Sequence, residues 1–382
     1  MRATPTPSAS AGLLDSTPLP QVPSQSPQAS ADRVETVKQY VRYRGFSSKV
    51  AEFLAHDKRP STSLNYQHKW KRYRKWCKDN SHTVSNPTVQ KVADFLIYLC
   101  QACHLSTSTI KGYKAMLNSV LVIRGLDLNN DQVLRLIIRA CSSQPQRPSR
   151  NLQPSWNLDF VLRFLTKAPF EPQRFSSTRD LTRKSLFLLA LATAQWVGEI
   201  QALSHKTSWQ GQDLLVSYIP EFIAKTDTDA HSTPREFRIK SLATVVASED
   251  VERLLCSVRA LHHYLHRTAS PTRPRNLFLA VKCPSRPMSK AAISFLLRDT
   301  IKSAHASFPD SSCRELKVRA HDIRGIATSI LMWKICSVPT ILRAACWRMP
   351  LVFADHYLRE IVKQEGDIFA LGPVVAAGHV VD

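Results

Sequence analysis

The sequence predicts a mainly α-helical protein with a small β-sheet, in which a helical domain is followed by an α+β domain. Three observations predict this class. Apolar residues recur at helical spacing along most of the chain, a polar segment containing prolines interrupts that pattern, and two short apolar segments beyond it flank a polar turn. We therefore expect a tail at 1–33, a helical domain at 34–142, a linker at 143–157, an α+β domain at 158–371 and a second tail at 372–382.

The first domain is predicted from a run of amphipathic segments. The tail before it is rich in Pro, Ser, Ala, Thr and Gln, so it cannot bury enough apolar surface to offset the entropy of ordering and is expected to be disordered. Apolar residues at i, i+3 and i+4 then predict helices over residues 34–45, 50–54, 61–79, 88–103, 106–124 and 131–141. Consecutive helices with no strand signal between them predict an all-α domain.

The second domain mixes helices with short strands. Helical spacing predicts helices over residues 159–166, 182–195, 249–268, 290–306, 321–336, 338–346 and 351–363. Residues 214–218 and 236–239 have the apolar character of short strands around the polar turn 226–229. The prolines and arginines of the linker predict an extended, basic connection between the two domains.

The charge of the chain points to its partner. Lys and Arg number 52 against 30 Asp and Glu, which gives a net charge of +22. This excess favours a polyanion, most often nucleic acid, over the alternative of basic faces that are merely solvated. The 9 cysteines are odd in number and scattered, which indicates reduced thiols. With no secretory signal and no apolar run that would span a bilayer, we expect an intracellular, nuclear protein and no membrane.

One predicted helix, 61–79, interleaves cations with aromatic residues. Tyr66, Trp70 and Tyr73 recur at i, i+4 and i+7 and predict a core-facing stripe. A basic amphipathic helix also suits a membrane surface or calmodulin, but the helices that follow it favour one wall of a DNA-binding surface. The residues expected to contact DNA are Lys69, Lys71, Arg72, Arg74, Lys75, Lys111, Lys114 and the linker residues Arg147 and Arg150.

A second constellation lies near the C-terminus. His321 and Arg324 stand at i and i+3, so both side chains leave one face of a predicted helix. An Arg in such a pair grips a phosphate oxygen in a fork, and the His handles a proton or a second oxygen. Trp347 and Tyr357 follow, and a tyrosine hydroxyl beside a bound phosphate is a nucleophile. Taken singly, such a pair is more often a surface feature, and a Trp or Tyr is more often part of a core.

Together these residues resemble the active-site series of tyrosine recombinases, which cut DNA with a tyrosine and reseal it. Residues 186–204, an apolar helix, a break and a short amphipathic helix, resemble the first conserved box of that family. Residues 220–226 and 276–279 also resemble segments of that family, and the resemblance spans roughly residues 45–375. It is stronger to the recombinases of DIRS-type and Ngaro-type retrotransposons than to phage integrases or topoisomerases.

The resemblance implies a fold and an activity. The fold would be a helical core-binding (SAM-like) domain and an α+β tyrosine-recombinase catalytic domain, which close over DNA from opposite sides. The activity would be DNA integration or site-specific recombination through a 3′-phosphotyrosine. The partner would be double-stranded DNA, bound by a tetramer, and no cofactor would be needed because the phosphotyrosine stores the energy of the broken bond.

Roles for single residues also follow from the resemblance. Tyr357 would be the nucleophile, and Arg324 would bind the non-bridging oxygens of the phosphate. His321 would assist the tyrosine proton or hold the phosphate, and Trp347 would brace the phosphate with its indole N–H. Lys225 would protonate the departing 5′-oxygen. Two neighbours compete with it for that role, Lys206 and Lys240.

One position departs from the family's pattern. Residues 194–199 read AQWVGE where the family has a phrase of the form AxRVGE, so Trp196 stands at the position of the first catalytic Arg, three residues before the structural acid Glu199. The loss of a phosphate-clamping Arg costs about 10³–10⁵ in rate. We expect the chain to bind DNA but to cleave it poorly or not at all, unless Arg183 or Arg348 substitutes. The alternatives are a non-catalytic DNA-binding protein of this fold and a helical regulatory protein without strand chemistry.

Other motifs do not define a site. The string from Cys100 to His104 fits a c-type haem attachment sequence, but it lies in an apolar helix of a chain with no secretion signal. No second pair of zinc ligands accompanies it, and the 10 glycines form no phosphate-binding loop. The sequence therefore predicts neither a metal nor a cofactor.

Overall fold

The structure is a computed structural model, and the chain divides into two compact units, Met1–Ser149 and Arg150–Asp382. The division falls inside the segment for which the sequence predicts a linker. The residues that the structure describes are 32–84, 87–143, 156–224, 227, 235–247, 250–308, 316, 318–334, 336–344, 354, 357–359 and 369.

The first unit is a bundle of helices. Its elements are α1 (Arg33–Tyr43), α2 (Ser48–Ala55), α3 (Pro60–Asp79), α4 (Val89–Gln101), α5 (Thr107–Leu121) and α6 (Gln132–Ser143). Side-chain oxygens of Asp32, Ser47, Thr88 and Ser106 accept from free N–H groups at the starts of α1, α2, α4 and α5, which fixes where these helices begin. The described part of the unit contains helices and turns but no strand, as the sequence predicts.

The core of the first unit is aromatic. Trp70, Tyr73 and Trp76 of α3 are buried and pack with Phe95 of α4, whose ring centroid lies 5.1 Å from that of Tyr73 and 5.2 Å from that of Trp76. Tyr66 is partly buried against the same core. The predicted aromatic stripe is therefore confirmed, and it extends one turn further, to Trp76.

The second unit surrounds one buried helix. Its elements are α7 (Leu158–Leu165), α8 (Thr178–Thr193), α9 (Val197–Gln201), β1 (Leu203–Gln210), β2 (Asp213–Tyr218), β3 (Glu236–Ile239), α10 (Ser257–Arg267), β4 (Leu279–Ala280), β5 (Cys283–Pro287), α11 (Lys290–Ala306), α12 (Asp322–Trp333) and α13 (Val338–Ala344). Every residue of α8 from Leu181 onward is buried, because α10, α11 and α12 pack around it. A helix that is covered on all sides forms the centre of the core.

The strands form two small antiparallel sheets. In the first, β2 lies between β1 and β3, with Leu215 opposite Ser208 on one side and Arg238 on the other. In the second, β4 pairs with β5. The sequence predicts β2 and β3 but misses β1, β4 and β5. It also predicts a continuous helix over 249–268, whereas the structure has a 3₁₀ turn, Val251–Leu255, and then α10.

The predicted class, mainly α with a small β-sheet, is confirmed by this architecture. Most of the predicted helix 351–363 lies outside the described residues. Among the helices that are described, none is both long enough and apolar enough to cross a membrane.

Candidate functional site

The site is built around Arg324, in the first turn of α12. The Asp322 carboxylate accepts from the Arg319 N–H at 2.9 Å and so fixes the start of this helix. The Arg324 side chain is only 2% exposed. Its Nη1 donates to the carbonyl oxygen of Ala194 at 2.7 Å and lies 3.7 Å from Glu199 Oε2. Arg324 therefore joins α12 to the corner between α8 and α9.

That corner has a specific backbone geometry. Ala194 ends α8 in the left-handed conformation, with φ of 50°, and its N–H donates to Ala190 O. Trp196 precedes α9, and its N–H donates to Glu199 Oε2 at 2.7 Å, so the carboxylate caps its own helix. A cation at the C-terminal end of a helix is favourable, and the Arg324 guanidinium occupies that place for α8.

Burial raises the pKa of Glu199, and the nearby Arg324 cation and the Trp196 N–H oppose this rise. The negative charge of Asp227 adds a smaller effect that raises the pKa of Glu199 further. The corner thus holds a buried acid whose charge is balanced mainly by Arg324.

The Trp196 indole is surrounded by the other predicted site residues. The Arg324 guanidinium carbon lies 4.5 Å from the centroid of the indole, which is the geometry of a cation–π contact. The His321 and Tyr357 rings meet the indole edge-to-face, with centroids at 5.0 and 5.7 Å. Arg324 also lies 5.7 Å from the Tyr357 ring centroid. Four residues chosen from the sequence, His321, Arg324, Tyr357 and Trp196, therefore share one cluster, which we call the Trp196 cluster.

The Trp196 cluster lacks one feature that phosphate chemistry uses. A phosphate is best held by guanidinium forks that point at its oxygens. In this cluster the Trp196 indole lies over the guanidinium of Arg324, and Arg324 is turned toward Ala194 O and Glu199. The arrangement brings the His321 and Tyr357 rings against the same indole that lies over the Arg324 guanidinium.

Several predicted site residues cannot be placed. Lys225, Trp347, Arg147 and Arg150 lie outside the described residues, as does the proposed substitute Arg348. The two competitors for the role of Lys225 are described. Lys206 is exposed on β1, and Lys240 is half-buried just after β3.

Arg183, one of two cations named as alternatives to the missing arginine, lies elsewhere on α8 and is paired with acids. Its guanidinium lies 3.3 Å from Asp180 and 3.4 Å from Asp299. It also lies ten residues before the end of α8, which is about 15 Å along a helix axis. Arg183 therefore neutralises acids near the start of α8, away from the α8–α9 corner that carries Trp196.

Two cations near the Trp196 cluster were missed by sequence reasoning. Lys290 Nζ lies 3.6 Å from the point where a Cβ on Gly198 would stand, two residues beyond Trp196. Arg359 lies 3.8 Å from Asp322 at the start of α12. No local pattern marks Lys290, because α11 meets α9 only through tertiary packing. Arg359 follows Tyr357 by only two residues, so its place in the sequence could have indicated that it lies near the cluster.

The basic face of the first unit is described in part. On α3, Lys71, Lys75 and Lys78 are exposed on the side opposite the buried tryptophans. Lys69 instead lies on the inner side, with Nζ 5.5 Å from the Tyr113 ring, and burial lowers its pKa. Of the other cations predicted to contact DNA, those that the structure describes are exposed (Arg72, Lys111) or half-buried (Arg74, Lys114). The exposed stripe Lys71–Lys75–Lys78 is called the α3 lysine stripe below.

Comparison with known proteins supports the fold. No protein-family model matches the sequence, and no curated protein matches it. Among solved structures, the integrase of the transposon Tn1549 in complex with circular-intermediate DNA has a TM-score of 0.53 at 12% identity, covering 87% of this chain and 97% of that one. A variant of that integrase with transposon right-end DNA has a TM-score of 0.52 at 13% identity, covering 86% and 96%.

A lambda integrase dimer bound to a COC′ core site has a TM-score of 0.48 at 14% identity, with coverage of 87% and 79%. Identities this low show a shared fold and no more. The chain has the fold of tyrosine recombinases, with a helical domain and an α+β domain, as the sequence predicts.

Proposed function

We propose that this protein binds double-stranded DNA as a tyrosine-recombinase-like protein of retrotransposon origin, and that Trp196 impairs its strand cleavage. The observation that carries the proposal is the Trp196 cluster: His321, Arg324 and Tyr357 lie together, and the Trp196 indole fills the space between them. The net charge of +22 and the tyrosine-recombinase fold, which is shared with an integrase in complex with DNA, support DNA as the partner. Binding by several copies of the chain is part of the proposal and follows from the resemblance in sequence.

The chemistry proposed for the site is a transesterification. The Tyr357 hydroxyl attacks a DNA phosphorus, a Tyr–O–P bond forms, and the bond from phosphorus to the 5′-oxygen breaks. The tyrosine proton passes to a base, for which His321 is the candidate, and the 5′-oxygen takes a proton from an acid, for which Lys225 is the candidate. The number of phosphoester bonds is unchanged, so no cofactor is consumed.

Arg324 is the group that would hold the non-bridging oxygens in this reaction. In the structure its guanidinium faces Ala194 O, Glu199 and the Trp196 ring. A phosphate reaches it only if the indole moves aside. Losing one arginine fork and covering a second are together expected to slow cleavage by at least about 10³.

Covalent trapping tests this proposal. The purified protein and its Trp196→Arg variant are incubated with a pool of nicked duplex DNA, and denaturant-resistant protein–DNA adducts are measured. We expect no adduct or a trace from the parent and a clear adduct from Trp196→Arg, because an arginine at this position restores a phosphate fork. The adduct must vanish in the Trp196→Arg/Tyr357→Phe double variant if Tyr357 is the nucleophile.

DNA binding by the same proteins is measured separately, by titration at fixed salt. A parent that forms as much adduct as Trp196→Arg would contradict the impairment. A parent that does not bind duplex DNA at all would contradict the function as a whole.

The second candidate is a non-catalytic DNA-binding protein that keeps the fold. The covering of Arg324 by Trp196 favours it, since a DNA-binding role needs the basic surface and not an open phosphate site. Binding without any adduct, in the parent and in Trp196→Arg alike, is the result expected for this candidate.

A further inference from the structure

The segment that carries Tyr357 is bonded to α12 through its backbone. The Arg359 N–H donates to Ser329 Oγ at 2.8 Å. Ser329 is only 2% exposed, and its hydroxyl donates to Gly325 O at 2.7 Å. The serine hydroxyl therefore links the nucleophile segment to the helix that carries Arg324, at a point shielded from water.

The Arg359 side chain continues this connection. Its Nη2 lies 3.8 Å from Asp322 Oδ1, and the two side chains are 15% and 16% exposed. Its Nη1 donates to Leu358 O at 2.9 Å. A largely buried ion pair of this kind keeps more of its strength than a surface pair, because water screens it less. The guanidinium thus spans from the Tyr357 segment to the first residue of α12.

The backbone of Tyr357 approaches α12 at a glycine. A Cβ at Gly325 would stand 2.9 Å from the Tyr357 carbonyl oxygen and 3.6 Å from the Arg359 guanidinium carbon. Any side chain at position 325 would push this segment away. Close approach places the Tyr357 ring against Trp196 and Arg324, with centroid distances of 5.7 Å to each.

We propose that Arg359 is a positioning residue for Tyr357, and that it fastens the nucleophile to α12 through Asp322 and Ser329. The proposal rests on the function proposed above, because a nucleophile needs a fixed place relative to the phosphate-binding arginine. Among the described residues, Arg359 contacts Asp322, Ser329 Oγ and Leu358 O. It acts by limiting where the Tyr357 hydroxyl can go, and a misplacement of about 1 Å in such a site costs on the order of 10² in rate.

Hydrogen exchange tests the fastening without any need for catalysis. In the parent protein, exchange is measured for peptides that contain residues 357–359. Arg359→Gln removes the charge but keeps the backbone N–H, and we expect exchange to rise by about tenfold as the segment opens. Arg359→Lys keeps the charge and is expected to restore most of the protection. Ser329→Ala removes the acceptor and should also raise exchange.

The matched control is Arg298→Gln. Arg298 is exposed on α11, and its Nε donates to Ser294 O of the same helix, so the same change of charge is made away from α12. Exchange at residues 357–359 that is the same in Arg359→Gln as in the parent and in the control overturns the proposal.

A second measurement tests whether the contacts of Arg359 affect the rate of adduct formation by Tyr357. In the Trp196→Arg background, Arg359→Gln is expected to lower the rate of adduct formation by about 10–100-fold while DNA affinity stays the same. An unchanged rate overturns the positioning role even if exchange has risen. If Trp196→Arg forms no adduct, it is the proposed cleavage chemistry that has failed, and the exchange experiment still decides whether Arg359 fastens the segment.

Discussion

At the scale of single residues, Trp196 decides the electrostatics of the site. Its ring centroid lies 4.5 Å from the Arg324 guanidinium carbon, and this cation–π contact stabilises the cation in addition to the nearby Glu199 carboxylate. A second arginine at position 196 would instead place two guanidinium groups side by side. Without a phosphate between them, such a pair repels.

We therefore predict that Trp196→Arg lowers the free energy of unfolding by about 1–3 kcal/mol, since it loses the cation–π contact and gains a like-charge pair. Sulfate, an analogue of the phosphodiester, should recover part of that loss by binding between the two arginines. The measurement is the melting temperature with sodium sulfate against sodium chloride at equal ionic strength. Trp196→Phe, which keeps an aromatic ring, serves as the control.

The same response to sulfate in Trp196→Arg and in Trp196→Phe would contradict this prediction. It would show that position 196 does not face a phosphate site.

Some contacts of single residues could not be predicted from the sequence. Motif spacing identified His321, Arg324 and Tyr357, and it located the departure at Trp196. It could not reveal that the indole covers Arg324, since that contact joins the α8–α9 corner to α12 across more than a hundred residues of sequence. Lys290 was missed for the same reason.

At the scale of elements, a buried charge network joins α8 to α10 and to the loop before α8. Lys184 of α8 is fully buried, and its Nζ donates to Leu165 O at 2.8 Å and to Glu171 Oε1 at 2.5 Å. Arg259 of α10 donates to both oxygens of Glu171, at 2.6 and 2.9 Å. Removing one partner from a buried network leaves an uncompensated charge.

This network predicts a pH dependence of stability. Burial lowers the pKa of Lys184 from 10.5 to about 8, and Glu171 opposes that shift. Between these two values the unfolded chain binds more protons than the folded one, so the contribution of Lys184 to stability increases as the pH rises through this window. From pH 7.5 to 9.5 the gain is about 2 kcal/mol.

The measurement is urea unfolding of the parent and of Lys184→Met over this pH range. As the pH rises, we expect the unfolding free energy of the parent to increase relative to that of Lys184→Met, because methionine does not titrate. Curves that stay parallel across the range would contradict a perturbed lysine.

Glu171 gives a change of the same sign, an increase of stability with pH, but at acid pH. Burial alone raises the pKa of Glu171, but the bonds from Arg259 and the charge of Lys184 lower it overall. The stabilisation from Glu171 is therefore complete above its ordinary pKa of 4.5 and is lost as the pH falls through its lowered value. This low window is well separated from that of Lys184.

Elements with strong local signals were the ones predicted well. α11 has the predicted bounds, since Ser289 caps its start and its apolar residues keep helical spacing throughout. β1 was missed because residues 203–210 are mostly polar. It forms a strand because its backbone pairs with that of β2. The predicted helix at 249–268 is divided at Cys256, whose sulfur accepts hydrogen bonds from the N–H groups of Leu242 and Arg259. The spacing of apolar residues cannot reveal these two hydrogen bonds.

At the scale of the whole molecule, the excess of positive charge is the dominant property. Each unit has its own core, and the length of the chain had suggested two domains. Charge and fold together predict how strongly binding to DNA depends on salt. Cations that neutralise phosphates release counter-ions, so the logarithm of the binding constant falls by about 0.9 per phosphate for each decade of salt.

The α3 lysine stripe allows the salt dependence of DNA binding to be predicted for the substitution of a single lysine. Lys75 is exposed on α3, outside the face formed by the buried Trp70, Tyr73 and Trp76, and it lies one turn from both Lys71 and Lys78. If the stripe lies on a DNA backbone, Lys75→Ala reduces the slope of log K against log salt by about 0.9. The loss should be the same for unrelated duplex sequences, because phosphate contacts carry no base information.

Lys58→Ala is the matched control, since it removes the same charge from the same unit but from a lysine already paired with Asp57 at 2.5 Å. Its slope should stay close to that of the parent. Equal slopes for Lys75→Ala, Lys58→Ala and the parent would show that α3 does not touch the phosphates, and DNA binding would then have to depend on other basic surfaces. A loss that varied from one duplex sequence to another would instead mean that Lys75 reads bases.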